Sequence, residues 1–174
     1  DDLYSVGTRA QIIRSQASND ERQSIHIFIK GKEAVQIDQI QSDGQAMLAK
    51  VTPLSTEFQA DQEQELKALT QRLRKHGENY LKLSLDTPAD HKSIERITDP
   101  LHLAYALLGR IREASVYERY QVLAETNGVK KMTLLMTLLE NAIQKLKRDH
   151  TVRKRTQKNL DRDQREYYHN EQMK

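Results

Sequence analysis

Ser24-Ile25-His26-Ile27-Phe28-Ile29-Lys30 is the stretch whose spacing decides how the chain begins to fold. A period of two places Ile25, Ile27 and Ile29 on one face and His26, Phe28 and Lys30 on the other, which is a strand with one apolar side. Upstream, Val6, Thr8, Ala10 and Ile12 alternate with Arg9 and Gln11. Downstream, Val35 and Ile37, then Met47, Ala49 and Val51, suggest two more strands. Ser18-Asn19-Asp20, Lys30-Gly31-Lys32 and Ser42-Asp43-Gly44 supply the turn residues between them. Residues 1–54 therefore read as an antiparallel β-meander of four short strands. Such a unit is marginal alone and is expected to be part of a larger, truncated β-domain.

From Asp61 the period changes. Leu66, Leu69, Leu73, Tyr80 and Leu83 recur at three-and-four spacing, with His76 in the one polar slot and Gly77 weakening the second half. A helix over about 61–84 follows, and Asp86-Thr87-Pro88-Ala89-Asp90 reads as a loop. Asp99-Pro100 sets an N-cap before proline at the first helical position, opening a helix whose apolar face is Leu103, Ala104, Leu107, Leu108 and Ile111. Ser115 and Glu118 have capping-box spacing, opening a short helix expected to end near Asn127-Gly128. The fold class is α+β: a partial β-subdomain over 1–54, a helical bundle over 55–146 and a long connector helix over 147–174.

After Gly128 neither glycine nor proline occurs again. Val129, Met132, Leu135, Met136, Leu139, Ile143 and Leu146 form a buried stripe, and the same line continued in sevens meets Arg153, Leu160 and Tyr167. Wholly helical, this run extends about 70 Å at 1.5 Å per residue and must project beyond a compact bundle. So sparse an apolar stripe needs neighbours to be stable, which marks a connector or an oligomer element.

Composition removes whole classes of chemistry. The 174 residues contain no cysteine, so thiolate catalysis, disulfides and cysteine-ligated metals are excluded, and a reducing compartment fits. Nothing approaches the apolar run of a membrane span, and Asp1-Asp2-Leu3-Tyr4 does not open a signal peptide; the chain is expected to be a piece of a longer one. Gly31-Lys32 has His26 where a phosphate loop needs its first glycine and lacks the following Ser or Thr. The six histidines are scattered, with no His-Glu-x-x-His and no Gly-x-Ser-x-Gly. No catalytic site and no metal site is expected within the chain, and no cofactor.

Charge is concentrated at the end. Residues 145–174 carry ten basic and five acidic side chains, whereas the rest carries 18 and 20. Arg153-Lys154-Arg155 is the candidate contact for nucleic-acid phosphate, although stacking aromatics are missing until Tyr167 and Tyr168. Leu160 and Tyr167 are the candidate substrate contacts, an apolar pair on an otherwise polar helix.

The tail also carries a resemblance. Gln164-Arg165-Glu166-Tyr167-Tyr168, followed by Asn170-Glu171-Gln172-Met173-Lys174, resembles the helical segment preceding the ATPase module in Lon proteases. Asp2-Leu3-Tyr4-Ser5-Val6-Gly7-Thr8 is similar to a strand entry of the Lon N-terminal domain. Asp99-Pro100 and Gln121-Val122-Leu123-Ala124-Glu125 fall in matching order. The chain departs from the family at Lys30-Gly31, where Glu-Gly is usual, at Ala34 and Gln36, where arginines are usual, and at His169, where leucine is usual.

The resemblance implies an ATP-dependent AAA+ serine protease, a cytoplasmic homohexamer that degrades misfolded and short-lived regulatory proteins. ATP with Mg and the Ser-Lys dyad would be held beyond Lys174, leaving this segment inactive alone. Its implied role is substrate recognition and assembly, with unfolded or damaged proteins as partners. The alternatives are a structural and allosteric strut, or nonspecific DNA binding through the basic helix.

Overall fold

The computed structural model describes residues 3–19, 24–84 and 88–173. Three strands, β1 (Val6–Ala17), β2 (Ile25–Ser42) and β3 (Met47–Pro53), form one antiparallel sheet in the order β1-β2-β3. Five α-helices follow: α1 (Glu63–Leu83), α2 (Pro88–Glu95), α3 (Pro100–Leu108), α4 (Val116–Ala124) and α5 (Gly128–Gln172). One turn of 3₁₀-helix over Ala60–Gln62 leads into α1.

The sheet corrects the four-strand expectation. Lys30-Gly31-Lys32 is not a turn but strand interior, and the two stretches flanking it are one 18-residue strand. Arg9 pairs with Glu33 while Ala10 pairs with Gly31, leaving Lys32 as the extra residue of a β-bulge. A glycine beside a bulge has the same local signature as a glycine in a turn. Two further bulges occur, at Ile13 on β1 and at Asp38 on β2. The bulge at Ile13 brings Arg14 opposite Phe28, and its guanidinium carbon sits 4.0 Å above that ring. Gly44, at φ +85°, makes the β2–β3 turn, where a left-handed conformation favours glycine. Asp43 accepts there from the Gln45 and Ala46 N–H groups. Of the expected Ser18-Asn19-Asp20 turn, Asp20 lies outside the described residues.

The chain divides into two compact units, Asp1–Lys67 with Ser115–Leu134, and Ala68–Ala114 with Leu135–Lys174. In the first, the buried side chains among the described residues are few: Val6, Ala34, Val35, Val122, Val129, Lys131 and Met132. α4 packs on β1, where Tyr4 stacks on Tyr120 with centroids 4.3 Å apart and Ser5 hydrogen-bonds the Tyr120 hydroxyl. The capping box at the start of α4 is present as its spacing predicts, Ser115 accepting from Glu118 N–H and Glu118 accepting from Ser115 N–H. That helix ends at Ala124, so Asn127 does not close it. Asn127 instead opens α5, accepting from Lys130 N–H at 3.0 Å. The Lys131 ammonium is buried and donates to the Leu123 carbonyl in the last turn of α4, where a positive charge complements the helix dipole.

The second unit has the larger apolar core. Leu73, Tyr80, Leu81, Ile94, Leu103, Leu107, Ile111, Leu135 and Leu139 are almost fully buried. The expected apolar faces of α3 and of the first half of α5 are therefore the faces that fold inward. Gly77 costs helix propensity but lets α3 approach, because a Cβ there would lie 2.6 Å from a Leu107 methyl. The predicted loop at 86–90 is corrected in part: helix α2 already begins at Pro88, proline being suited to a first helical position, while 86 and 87 lie outside the described residues. Arg74 fixes the end of α2 by donating to the carbonyls of Ile94, Glu95 and Ile97. Asp99 caps α3 as expected, accepting from His102 N–H at 2.7 Å.

Candidate functional site

α5 is one uninterrupted helix of 45 residues. Its stripe is buried to Ile143 and half-buried at Leu146, and every described residue from Lys147 onward is exposed. The helix places Leu160 and Tyr167 two turns apart on one line, about 10.5 Å along the axis, with 52% and 61% of their surfaces accessible. The Tyr167 hydroxyl donates to Glu171 and its ring meets that of Tyr168 edge-on at 6.2 Å. Gln164, Arg165, Glu166 and Gln172 share this exposed helix, so the tail motif is surface throughout its described residues.

Arg153, Lys154 and Arg155 point outward from three consecutive positions, roughly 100° apart around the helix, and do not converge on one anion. Their neighbours differ in charge: residues 147–158 carry six basic and one acidic side chain, residues 159–172 two basic and four acidic. Arg162 pairs with Asp163 and Glu166 in that second stretch. The recess lined by Arg165, Glu166, His169 and Asn170 belongs to adjacent turns of one helix and encloses nothing.

Sequence reasoning missed a second exposed surface. In the first unit, Tyr117 lies 6.4 Å from Tyr120, which stacks on Tyr4; Leu3, Tyr4, Val116 and Tyr117 are all exposed. The pair Tyr117 and Tyr120, three apart on a short helix, was legible as one face. Tyr4, more than a hundred residues away, carried no signal of meeting them.

Among the described residues no three His, Asp or Glu side chains group to hold a metal ion, and no buried side-chain nitrogen or oxygen lacks a hydrogen-bond partner. Two carboxyls, Asp43 and Glu118, sit below their ordinary range, the first through the Ala46 and Gln45 N–H groups and the second through Ser115 N–H. Both belong to a turn and a cap and face solvent. His76, half-buried, hydrogen-bonds the Arg72 carbonyl through Nδ1 and lies 3.8 Å from Glu140, a salt-bridge position on the surface of the second unit. No helix among the described residues is long and apolar enough to cross a membrane.

An antiparallel sheet is followed by helices, and apolar side chains are exposed on both units. The comparisons give the chain a family. Residues 1–141 match the model of the ATP-dependent protease La (LON) substrate-binding domain, and the chain belongs to that family. Relatives include the Lon protease of Haemophilus influenzae, 27% identical over 100% of this chain and 21% of that protein. The Lon protease of Escherichia coli K12 is 28% identical over 99% of this chain and 22% of its own length. The chain thus spans about a fifth of the curated relatives it matches. The N-terminal domain of Mycobacterium avium complex Lon protease shares the fold, with a TM-score of 0.66 and 22% identity, covering 80% of this chain and 73% of that one. The resemblance and the α+β fold expected from the sequence both hold.

Proposed function

We propose that this chain is the substrate-receiving N-terminal region of an ATP-dependent Lon-type serine protease of the cytoplasm, a homohexameric AAA+ machine that degrades misfolded and short-lived proteins. The carrying observation is the match to a substrate-binding domain over 1–141, within relatives roughly five times as long. On this reading ATP, Mg and the Ser-Lys dyad belong to the remainder of the protein, and the segment contributes recognition alone.

An unfolded substrate presents apolar side chains in no fixed sequence, so undirected apolar contact suits it better than a pattern of hydrogen bonds. Leu160 and Tyr167 are assigned as one contact and the Tyr4–Tyr117–Tyr120 surface as a second. Each contact contributes at most ~1.5–3 kcal/mol on full burial. One copy therefore holds an extended chain weakly, and a ring of six holds it by avidity.

The test is Leu160→Ser, Tyr167→Ser and Tyr117→Ser, each in the full-length protein. Degradation of an unfolded protein is expected to slow several-fold while basal ATP hydrolysis is kept. Equal loss of both activities in an intact hexamer would refute a gripping role. The length and continuity of α5 support a second reading, a strut that sets the spacing between modules. Under that reading shortening α5 by two turns abolishes degradation while the serine substitutions leave it unchanged.

A further inference from the structure

The exposed half of α5 changes its charge along its length, and the change falls beside the two apolar residues. Over 147–158 six basic side chains, Lys147, Arg148, Arg153, Lys154, Arg155 and Lys158, stand against the one acidic Asp149. Over 159–172 two basic side chains stand against four acidic ones. All are exposed, and among the described residues none of the six bases is in an ion pair. In the second stretch, by contrast, Arg162 is already engaged by Asp163 and Glu166. The first stretch is therefore a girdle of uncompensated positive charge, about 18 Å long at the rise of an α-helix.

Arg153, Leu160 and Tyr167 lie on one line of the helix in steps of about 10.5 Å. An extended peptide covers such a step in about three residues. A chain lying along this line meets basic charge, then Leu160, then Tyr167. The six bases spread around the helix without converging, so they suit a diffuse run of negative charge and not one bound anion. The reversal of charge beyond 158 limits how far that run can extend. A nucleic acid, uniformly charged, is attracted over 147–158 and repelled over 159–172. A polypeptide whose acidic run gives way to apolar residues matches both stretches.

We propose that α5 selects, among unfolded polypeptides, segments in which a run of about five acidic residues adjoins two apolar residues about three apart. Leu160 and Tyr167 take the apolar pair, and the basic girdle takes the acidic run. The inference rests on the reading of the chain as a receptor for unfolded protein and adds the chemistry that this receptor prefers. Apolar contact supplies the salt-resistant part of the affinity. The exposed charges supply discrimination between substrates, which electrostatic complementarity gives more readily than raw affinity.

The test uses three labelled, unstructured peptides that share one apolar pair and differ only in a flank of acidic, neutral or basic residues. Each is titrated into the folded 174-residue chain at low and at high salt. At low salt the acidic-flanked peptide is expected to bind about tenfold more tightly than the basic-flanked one, as several exposed ion pairs of modest strength would give. At about 1 M salt, where screening acts within ~3 Å, the three should converge on one affinity. Replacing Arg153, Lys154 and Arg155 together by Gln should shrink the low-salt preference, and replacing them by Glu should abolish it. Neither set should move the neutral-flanked peptide. Equal low-salt affinities for the three peptides overturn the selection and leave the apolar receptor reading intact. Failure of all three to bind refutes both. Unchanged binding of the acidic-flanked peptide to Leu160→Ser and Tyr167→Ser, with duplex DNA displacing it, overturns the proposal in favour of a nucleic-acid contact.

Discussion

Tyr80→Phe removes a single oxygen from the centre of the second unit and leaves the ring that fills the space. Tyr80 is fully buried, and its hydroxyl lies 2.7 Å from Glu113 Oε2 and 3.2 Å from the Arg110 carbonyl. With one proton to donate, the shorter bond, to the carboxylate, is the one made. The same oxygen accepts from Arg112 N–H at 3.1 Å, so one atom holds two successive residues of the turn after α3. A hydrogen bond to a charged group contributes about 1.5–3 kcal/mol and a neutral one about 0.5–1.5. Glu113 is only half-buried and regains water when the hydroxyl is lost, which discounts the first contribution. A net loss of about 2 kcal/mol follows. With a urea slope of about 2 kcal/mol/M, the midpoint should fall by about 1 M at unchanged slope. Tyr117→Phe, at an exposed site, is the control and should shift it by less than about 0.2 M. An unchanged midpoint for Tyr80→Phe would refute the claim that this hydroxyl organises the turn.

Gly77→Ala sets two effects against each other: about 1 kcal/mol gained in helix propensity, against about 1–3 kcal/mol for crowding both methyls of the buried Leu107. Crowding should win, and denaturant unfolding should show the alanine variant as the less stable; a gain would mean α3 yields freely. Ser115→Ala removes the capping box and should cost about 1 kcal/mol, read in the same assay. Asp43 and Glu118 hold their protons less tightly folded than unfolded, so the unfolded state binds more protons in acid. Their contribution should be whole above about pH 5 and be lost as pH falls through about 4 toward their folded values. Unfolding measured between pH 7 and 3 should accordingly show stability dropping in acid, less steeply in Ser115→Ala.

The helices were legible because period and punctuation agreed. Leu103, Leu107 and Ile111 fell on one face behind an Asp99-Pro100 start, and Ser115 with Glu118 announced the next helix; both caps are formed. Gly31 and Asn127 were misread for one reason, that a residue type permits several local roles. A bulge glycine resembles a turn glycine, and an asparagine between helices closes one or opens the next. The Ile25–Ile27–Ile29 face was read correctly as a face, but alternation states which side is apolar and not what covers it. Tyr4 against Tyr120 is a contact between distant residues and leaves no periodic trace. Leu160 and Tyr167 stand exposed, a geometry equally suited to gripping a substrate or to pairing helices.

The central claim is reception of unfolded protein, and a titration tests it most directly. The folded chain is titrated with a labelled unfolded protein and with duplex DNA, each at low and high salt. The account predicts binding of the unfolded protein that survives high salt, as apolar contact requires, and that weakens in Leu160→Ser and Tyr117→Ser. Binding of DNA alone, lost as salt rises, would contradict it and transfer the role to Arg153, Lys154 and Arg155.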